Sequence, residues 1–113
     1  MIKDYEKNGY LVLKNVFSEG ELQQLREVVA RFHKSWTLEN SKFYADKAVN
    51  SAYLTAKKHL IDSDRELLFQ FIGSAKLMNI VMSIMGANAA FMNTQLFFDP
   101  VNEGQKNYWH RDS

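Results

Sequence analysis

The segment Tyr108-Trp109-His110-Arg111-Asp112-Ser113 places a His-x-Asp pair in strand-like sequence. Residues two apart on a β-strand project to one face, so His110 and Asp112 offer an imidazole nitrogen and a carboxylate oxygen to a single metal ion, with Arg111 turned to the other face. These are two of the three donors of the 2-His-1-carboxylate facial triad, which holds non-haem Fe(II) and leaves positions open for co-substrate and oxygen. The alternative for the same residues is an exposed, charged segment that binds nothing.

Working backward, residues 101–107 form a polar connection, and Pro100 stops the longest strand candidate, residues 89–99. Its even positions, Met92, Thr94, Leu96 and Phe98, make a mostly apolar face, and Phe91, Asn93, Gln95 and Phe97 mix aromatics with amides on the other. That pattern predicts a strand covered on both sides. Buried amides need partners, so Asn93 and Gln95 either bond within the core or line a polar pocket.

Three helices and one more strand are predicted upstream. Residues 2–8 suit a short helical turn, and residues 10–17, rich in Val, Leu and aromatics, read as a short strand. Ser18-Glu19-Gly20-Glu21 fits a capping box, followed by apolar residues at Leu22, Leu25, Val28, Val29 and Phe32, the spacing of one buried helix face. His33 then falls at the end of this helix, as an exposed or dipole-stabilising cation rather than a ligand.

Residues 34–60 lack a sustained period and read as a functional loop or lid. His59 within it is expected to be a surface or hydrogen-bonded histidine. Asp62-Ser63-Asp64 supplies capping side chains for a helix running to Ile72, with Gly73 at its C-terminal cap. Ser74 caps a further helix over residues 75–85, ended by Gly86, whose Leu77, Ile80, Val81, Ile84 and Met85 share an apolar face. Met78, Met82 and Met85 are expected as core filler.

The whole composition suits one ordinary domain. Its 113 residues are 46% hydrophobic and 24% charged, which argues against disorder, and a formal net charge of +1 gives no electrostatic reason to expect nucleic acid or an anionic membrane. With no cysteine, disulfides, thiolate zinc sites and cysteine nucleophiles are excluded. The charged N-terminus lacks the apolar core of a secretory signal, and no apolar run approaches the roughly 20 residues of a membrane span, so a cytoplasmic protein is expected.

Residues 8–18, the helix over 22–32, the helix ending Met82-Ser83-Ile84-Met85-Gly86, and Phe97-Phe98-Asp99-Pro100 leading to Trp109-His110-Arg111-Asp112 together resemble the N-terminal half of the phytanoyl-CoA dioxygenase family. The resemblance implies an α+β fold in which N-terminal helices accompany part of a double-stranded β-helix of the jelly-roll or cupin-like kind, left incomplete, with residues 1–113 as one domain. It implies an Fe(II)/2-oxoglutarate-dependent dioxygenase acting on a small-molecule substrate, with His110 and Asp112 as metal ligands and Asn93 and Gln95 contacting 2-oxoglutarate or substrate. The family's halogenating relatives carry a small residue in place of the carboxylate, so Asp112 implies hydroxylation. The distal His and the 2-oxoglutarate-binding Arg of the family would lie beyond Ser113.

A jelly roll needs about eight strands to cover its core, against about three predicted here, so strand edges and the face around Phe91, Phe97 and Tyr108 should lie open. The expectation is a chain inactive alone, completed by a C-terminal half or by homo-oligomerisation. Two other classes stay open: a non-catalytic interaction or dimerisation module derived from the fold, and a metal-binding protein completing its site across a subunit interface.

Overall fold

The computed structural model describes residues 2–42 and 51–97, so His110, Asp112, Tyr108 and the connection before them lie outside the described residues. In chain order the elements are helix α1 (Ile2–Asn8), helix α2 (Glu19–Glu39), strand β1 (Ser51–Ala52), helix α3 (Asp62–Ile72), helix α4 (Ala75–Met85) and strand β2 (Leu96–Phe97).

The long helix α2 organises the molecule. Ser18 Oγ accepts from the Glu21 backbone N–H at 3.1 Å and the Ser18 N–H donates to Glu21 Oε1 at 3.5 Å, closing the expected capping box. Val28 and Phe32 are fully buried one turn apart, and Trp36 extends the stripe by another turn. The helix therefore runs past the expected end at Phe32, and the predicted loop begins later than the sequence pattern placed it. The burial of Trp36 against the core explains how an unpromising stretch stays helical, and the Thr37 hydroxyl is accommodated by donating back to the His33 and Lys34 carbonyls at 2.8 and 3.2 Å. Asn40 closes the end, with its backbone N–H and Nδ2 both donating to the Trp36 carbonyl at 2.9 Å.

The core lies between α2, α3 and the segment leading into α3. Leu54 and Leu60 from that segment and Leu68 from α3 pack with Val28, Phe32 and Trp36, flanked by Leu25, Val29, Leu67, Ile72 and Leu96. An Arg31–Asp64 pair locks α2 to α3, with Nε to Oδ2 at 2.7 Å and Nη2 to Oδ1 at 2.8 Å. Asp64 therefore does not cap α3 as the sequence suggested; the N-cap is Ile61, which has no side-chain cap, and Asp64 turns inward to the guanidinium. Helix α3 ends at Gly73 as expected, and Ser74 Oγ caps α4 by accepting from the Leu77 N–H at 3.3 Å. The two helices meet at a 45° bend.

Helix α4 contributes no buried residue. Its Leu77, Ile80 and Ile84 half-face an open apolar groove of about 430 Å³, whose other wall is Leu11, Leu13, Val16 and Phe17. Of the methionines expected as core filler, Met82 and Met85 are exposed and Met78 is half-buried. Gly86 ends α4 at φ 88°, a backbone conformation that a side chain disfavours.

The strands fall well short of expectation. Residues 10–17 form none, because Asn15 adopts φ 58° and bends the chain away from an extended path. Of residues 89–99, only Leu96 and Phe97 join a ladder, antiparallel to β1 with Ser51 opposite Phe97 and Ala52 opposite Leu96. The partner strand β1 arises inside the stretch read as an irregular loop. The described residues are thus mainly helical, and the expected double-stranded β-helix is not present among them. No single helix among them is long and apolar enough to cross a membrane.

Candidate functional site

The segment that carries Asn93 and Gln95 into β2 has one covered face. Thr94 and Leu96 are half-buried and turned toward the helices, whereas Asn93, Gln95 and Phe97 are exposed, as are Phe91 and Met92. Alternation holds from Asn93 to Phe97 but fails at Met92, which the pattern put beside Thr94 and Leu96 and which is 82% exposed, and coverage of both faces does not hold, because Asn93, Gln95 and Phe97 are exposed. Neither amide is buried. Opposite them, Tyr53 is exposed and Leu54 buried, which continues the same in-and-out pattern on the neighbouring segment.

The covered face is tied down by hydrogen bonds. The Thr55 backbone N–H donates to Thr94 Oγ1 at 3.1 Å, and the Thr94 hydroxyl donates to Thr55 Oγ1 at 3.2 Å. Arg65 of α3 donates from Nε to the Thr55 carbonyl at 3.0 Å. Its guanidinium lies 5.0 Å from the centre of the Phe69 ring, and Phe69 in turn meets Phe91 edge-on at 6.3 Å. One arginine so braces the chain around Thr55 and, through Phe69, the segment ahead of β2 at Phe91. Sequence reasoning missed this, since Thr94 and Thr55 are 39 residues apart and carry no local signal of pairing.

The histidines among the described residues take structural positions. His33 is exposed in the middle of α2 rather than at its end. The His59 side chain is 7% exposed, set edge-on to Phe32 with ring centres 5.8 Å apart. Its Nδ1 faces Ser35 Oγ at 3.3 Å and Glu39 Oε2 at 3.5 Å. Because hydroxyl and carboxylate approach the same ring nitrogen, the three groups do not form a relay of nucleophile, base and orienting acid, which needs both nitrogens. The hydrogen-bonded reading of His59 therefore stands over a ligand role.

Three carboxylates near these elements are held by cations. The Arg31 guanidinium beside Asp64 holds its carboxyl below the usual range, Lys58 does the same for Glu39, and Lys76, 2.9 Å from Glu21, for that residue. Among the described residues no three His, Cys, Asp or Glu side chains gather as a metal centre. His110 and Asp112 lie outside them, and their fit to a metal rests on donor chemistry: an imidazole and a carboxylate two residues apart match two of the three protein donors that non-haem Fe(II) takes.

Comparison with known proteins extends this picture. The model of the family described as Phytanoyl-CoA dioxygenase (PhyH) matches residues 5–113. The chain is 25% identical over 116 residues to an ectoine dioxygenase of Stutzerimonas stutzeri (strain A1501), covering 99% of this chain and 36% of the relative. It is 26% identical over 115 residues to the peroxisomal phytanoyl-CoA dioxygenase of Bos taurus, covering 96% of this chain and 34% of the relative. An ectoine dioxygenase of Bordetella parapertussis is 23% identical over 112 residues, covering 98% and 35%. The chain thus spans about a third of the length of the curated relatives it matches. No solved structure matches it. Because the family match runs unbroken from the first helix through the His110-x-Asp112 motif, the chain belongs to the phytanoyl-CoA dioxygenase family.

Proposed function

We propose that this chain is the N-terminal part of an Fe(II)/2-oxoglutarate-dependent dioxygenase that hydroxylates a small-molecule substrate. The observation that supports the reading best is the family match extending through His110 and Asp112, on a chain whose similar relatives are named as dioxygenases. Family membership is consistent with a cupin-like fold, and the completed double-stranded β-helix belongs to this proposal.

In this reading His110 supplies an imidazole nitrogen and Asp112 a carboxylate oxygen to the metal, while Asn93 and Gln95 present amides to 2-oxoglutarate or substrate. When bound, iron with 2-oxoglutarate supplies the oxidising power for C–H hydroxylation. The chain's own contribution is to orient these donors and, once the exposed face at Phe91 and Phe97 is covered, to exclude water. The working partners are a small substrate and either further chain or a second copy, in a cytoplasmic setting without nucleic acid or membrane.

Anaerobic addition of 2-oxoglutarate to the Fe(II)-loaded protein tests the reading. A charge-transfer absorbance band that disappears in His110→Ala and Asp112→Ala is expected; a full-length protein that shows no such band sinks it. The 113-residue chain by itself, which spans about a third of the length of its relatives, should not couple 2-oxoglutarate decarboxylation to hydroxylation, and Fe(II)-dependent succinate production by that chain would contradict this part.

A second reading, a non-catalytic interaction module, draws on the same exposed apolar face. Stable self-association without metal binding would favour it.

A further inference from the structure

The ladder between β1 and β2 is two residues long, Ser51 with Phe97 and Ala52 with Leu96. Two pairs specify a strand register weakly, and a slip of one residue would carry every side chain of the strand to the opposite face. In the proposed oxygenase such a slip would turn Asn93 and Gln95 from the open side into the helices. Something besides the ladder has to hold the register.

Thr94 sits between the two amides on the covered face, and its hydroxyl is engaged twice with Thr55, accepting from the backbone N–H and donating to Oγ1. The Thr55 carbonyl is in turn held by Arg65, which belongs to α3 and is stacked over Phe69. The chain of bonds therefore runs from a helix of the packed core, through one threonine, to the residue whose register decides where Asn93 and Gln95 point. We infer that Thr94, braced by Thr55 and Arg65, is a positioning residue that fixes the register of β2 and of the segment leading into it, and so presents Asn93 and Gln95 to the 2-oxoglutarate or substrate side. This rests on the oxygenase reading for its functional half. Its structural half stands on the hydrogen bonds alone.

The geometry makes the pin specific. A valine at position 94 keeps the shape and the half-burial but removes both hydrogen bonds and leaves the Thr55 N–H without its acceptor. A serine keeps the hydroxyl. Removal of groups that orient ligands in this indirect way commonly costs about 10- to 100-fold in affinity or activity.

The test uses the full-length protein as wild type, Thr94→Val and Thr94→Ser, with Arg65→Met as a second route to the same defect if Thr94→Val does not fold. Amide hydrogen exchange is followed over residues 51–55 and 93–97 against the helices α2 and α3. Thr94→Val and Arg65→Met should speed exchange in both strand segments by about tenfold while the helices stay protected, and Thr94→Ser should behave as wild type. Unchanged exchange in the strand segments of Thr94→Val overturns the pin.

The second readout is the apparent Kd for 2-oxoglutarate in the anaerobic absorbance titration. It should weaken by about tenfold in Thr94→Val at unchanged Fe(II) affinity and recover in Thr94→Ser. The weakening should also shrink when Asn93 and Gln95 are already alanine, because the threonine acts through them. Full additivity, or a wild-type Kd in Thr94→Val, overturns the positioning role. A wild-type protein without the absorbance band sinks the oxygenase reading instead, and the exchange data then decide the pin on their own.

Discussion

The α2–α3 half and the β2 end of this chain satisfy their apolar residues in different ways. Around Phe32, six apolar side chains from α2, α3 and the segment between them reach burial, and an Arg31–Asp64 pair and a capping box fix the helices that carry them. Around β2, Phe97 is 66% exposed and, ahead of the strand, Met92 is 82% exposed, with Asn93 and Gln95 between them exposed as well. The first region holds its own core. The second leaves its apolar residues exposed, and in sequence it leads into His110 and Asp112. Folding stability and the proposed chemistry are therefore housed in separate parts of the molecule, linked by Arg65, Thr55 and Thr94.

Substitutions can break that contrast. The largest effect is expected for Phe32→Ala, which empties a site of 0% exposure at the centre of the core. A loss of about 3–5 kcal/mol is expected, a large part of the stability of a small domain, read from chemical denaturation. A shift under 1 kcal/mol would mean that the helical half does not carry the fold.

Arg31→Gln comes next, through pH. The Arg31 guanidinium holds Asp64 below its ordinary value, so the pair stabilises the native state above the unfolded carboxylate pKa of about 3.9 and loses that contribution as pH falls through the depressed native value. Without Arg31 the depression goes, and the acid unfolding midpoint should move to higher pH while stability at neutral pH falls. An acid midpoint unmoved by the substitution would show that the pair does not bridge α2 and α3 in solution.

Ser18→Ala removes the capping hydroxyl of α2, and about 1 kcal/mol of destabilisation is expected by thermal or denaturant unfolding. The smallest effect on folding belongs to Met92→Gln, at an 82% exposed position ahead of β2, within about 0.5 kcal/mol of wild type. The same substitution should reduce self-association measured by light scattering. A Met92→Gln protein that unfolds like Phe32→Ala would erase the distinction between the two regions.

The helices were legible because their signals are local. Ser18 and Glu21 are three residues apart, Ser74 lies at the cap it forms, and the apolar spacing of Leu22, Leu25, Val28 and Phe32 repeats with the helical turn. The misreadings have specific causes. Residues from Lys34 on lack a sustained period, yet α2 continues because Trp36 packs into the core, and residues 10–17 look like a strand until Asn15 takes a positive φ. Asp64 resembles a cap but serves a cation that approaches from another helix.

Of the candidate site, composition and alternation gave the faces of Thr94 and Leu96 against Asn93 and Gln95, and the His110-x-Asp112 motif is visible in sequence alone. They did not give which face would be covered. That depends on how much chain is available to pack over it, which is not encoded in the strand itself.

By itself, then, the sequence determined the helix starts, the apolar stripe of α2, the family and the donor types of the motif, because capping, periodicity and ligand chemistry act over a few neighbouring residues. Only the tertiary structure decided the inward turn of Asp64, the structural placement of His59, the exposure of Asn93 and Gln95 and the bond between Thr55 and Thr94. Each of these depends on residues distant in sequence meeting around one core, and such meetings are fixed by packing rather than by any local pattern.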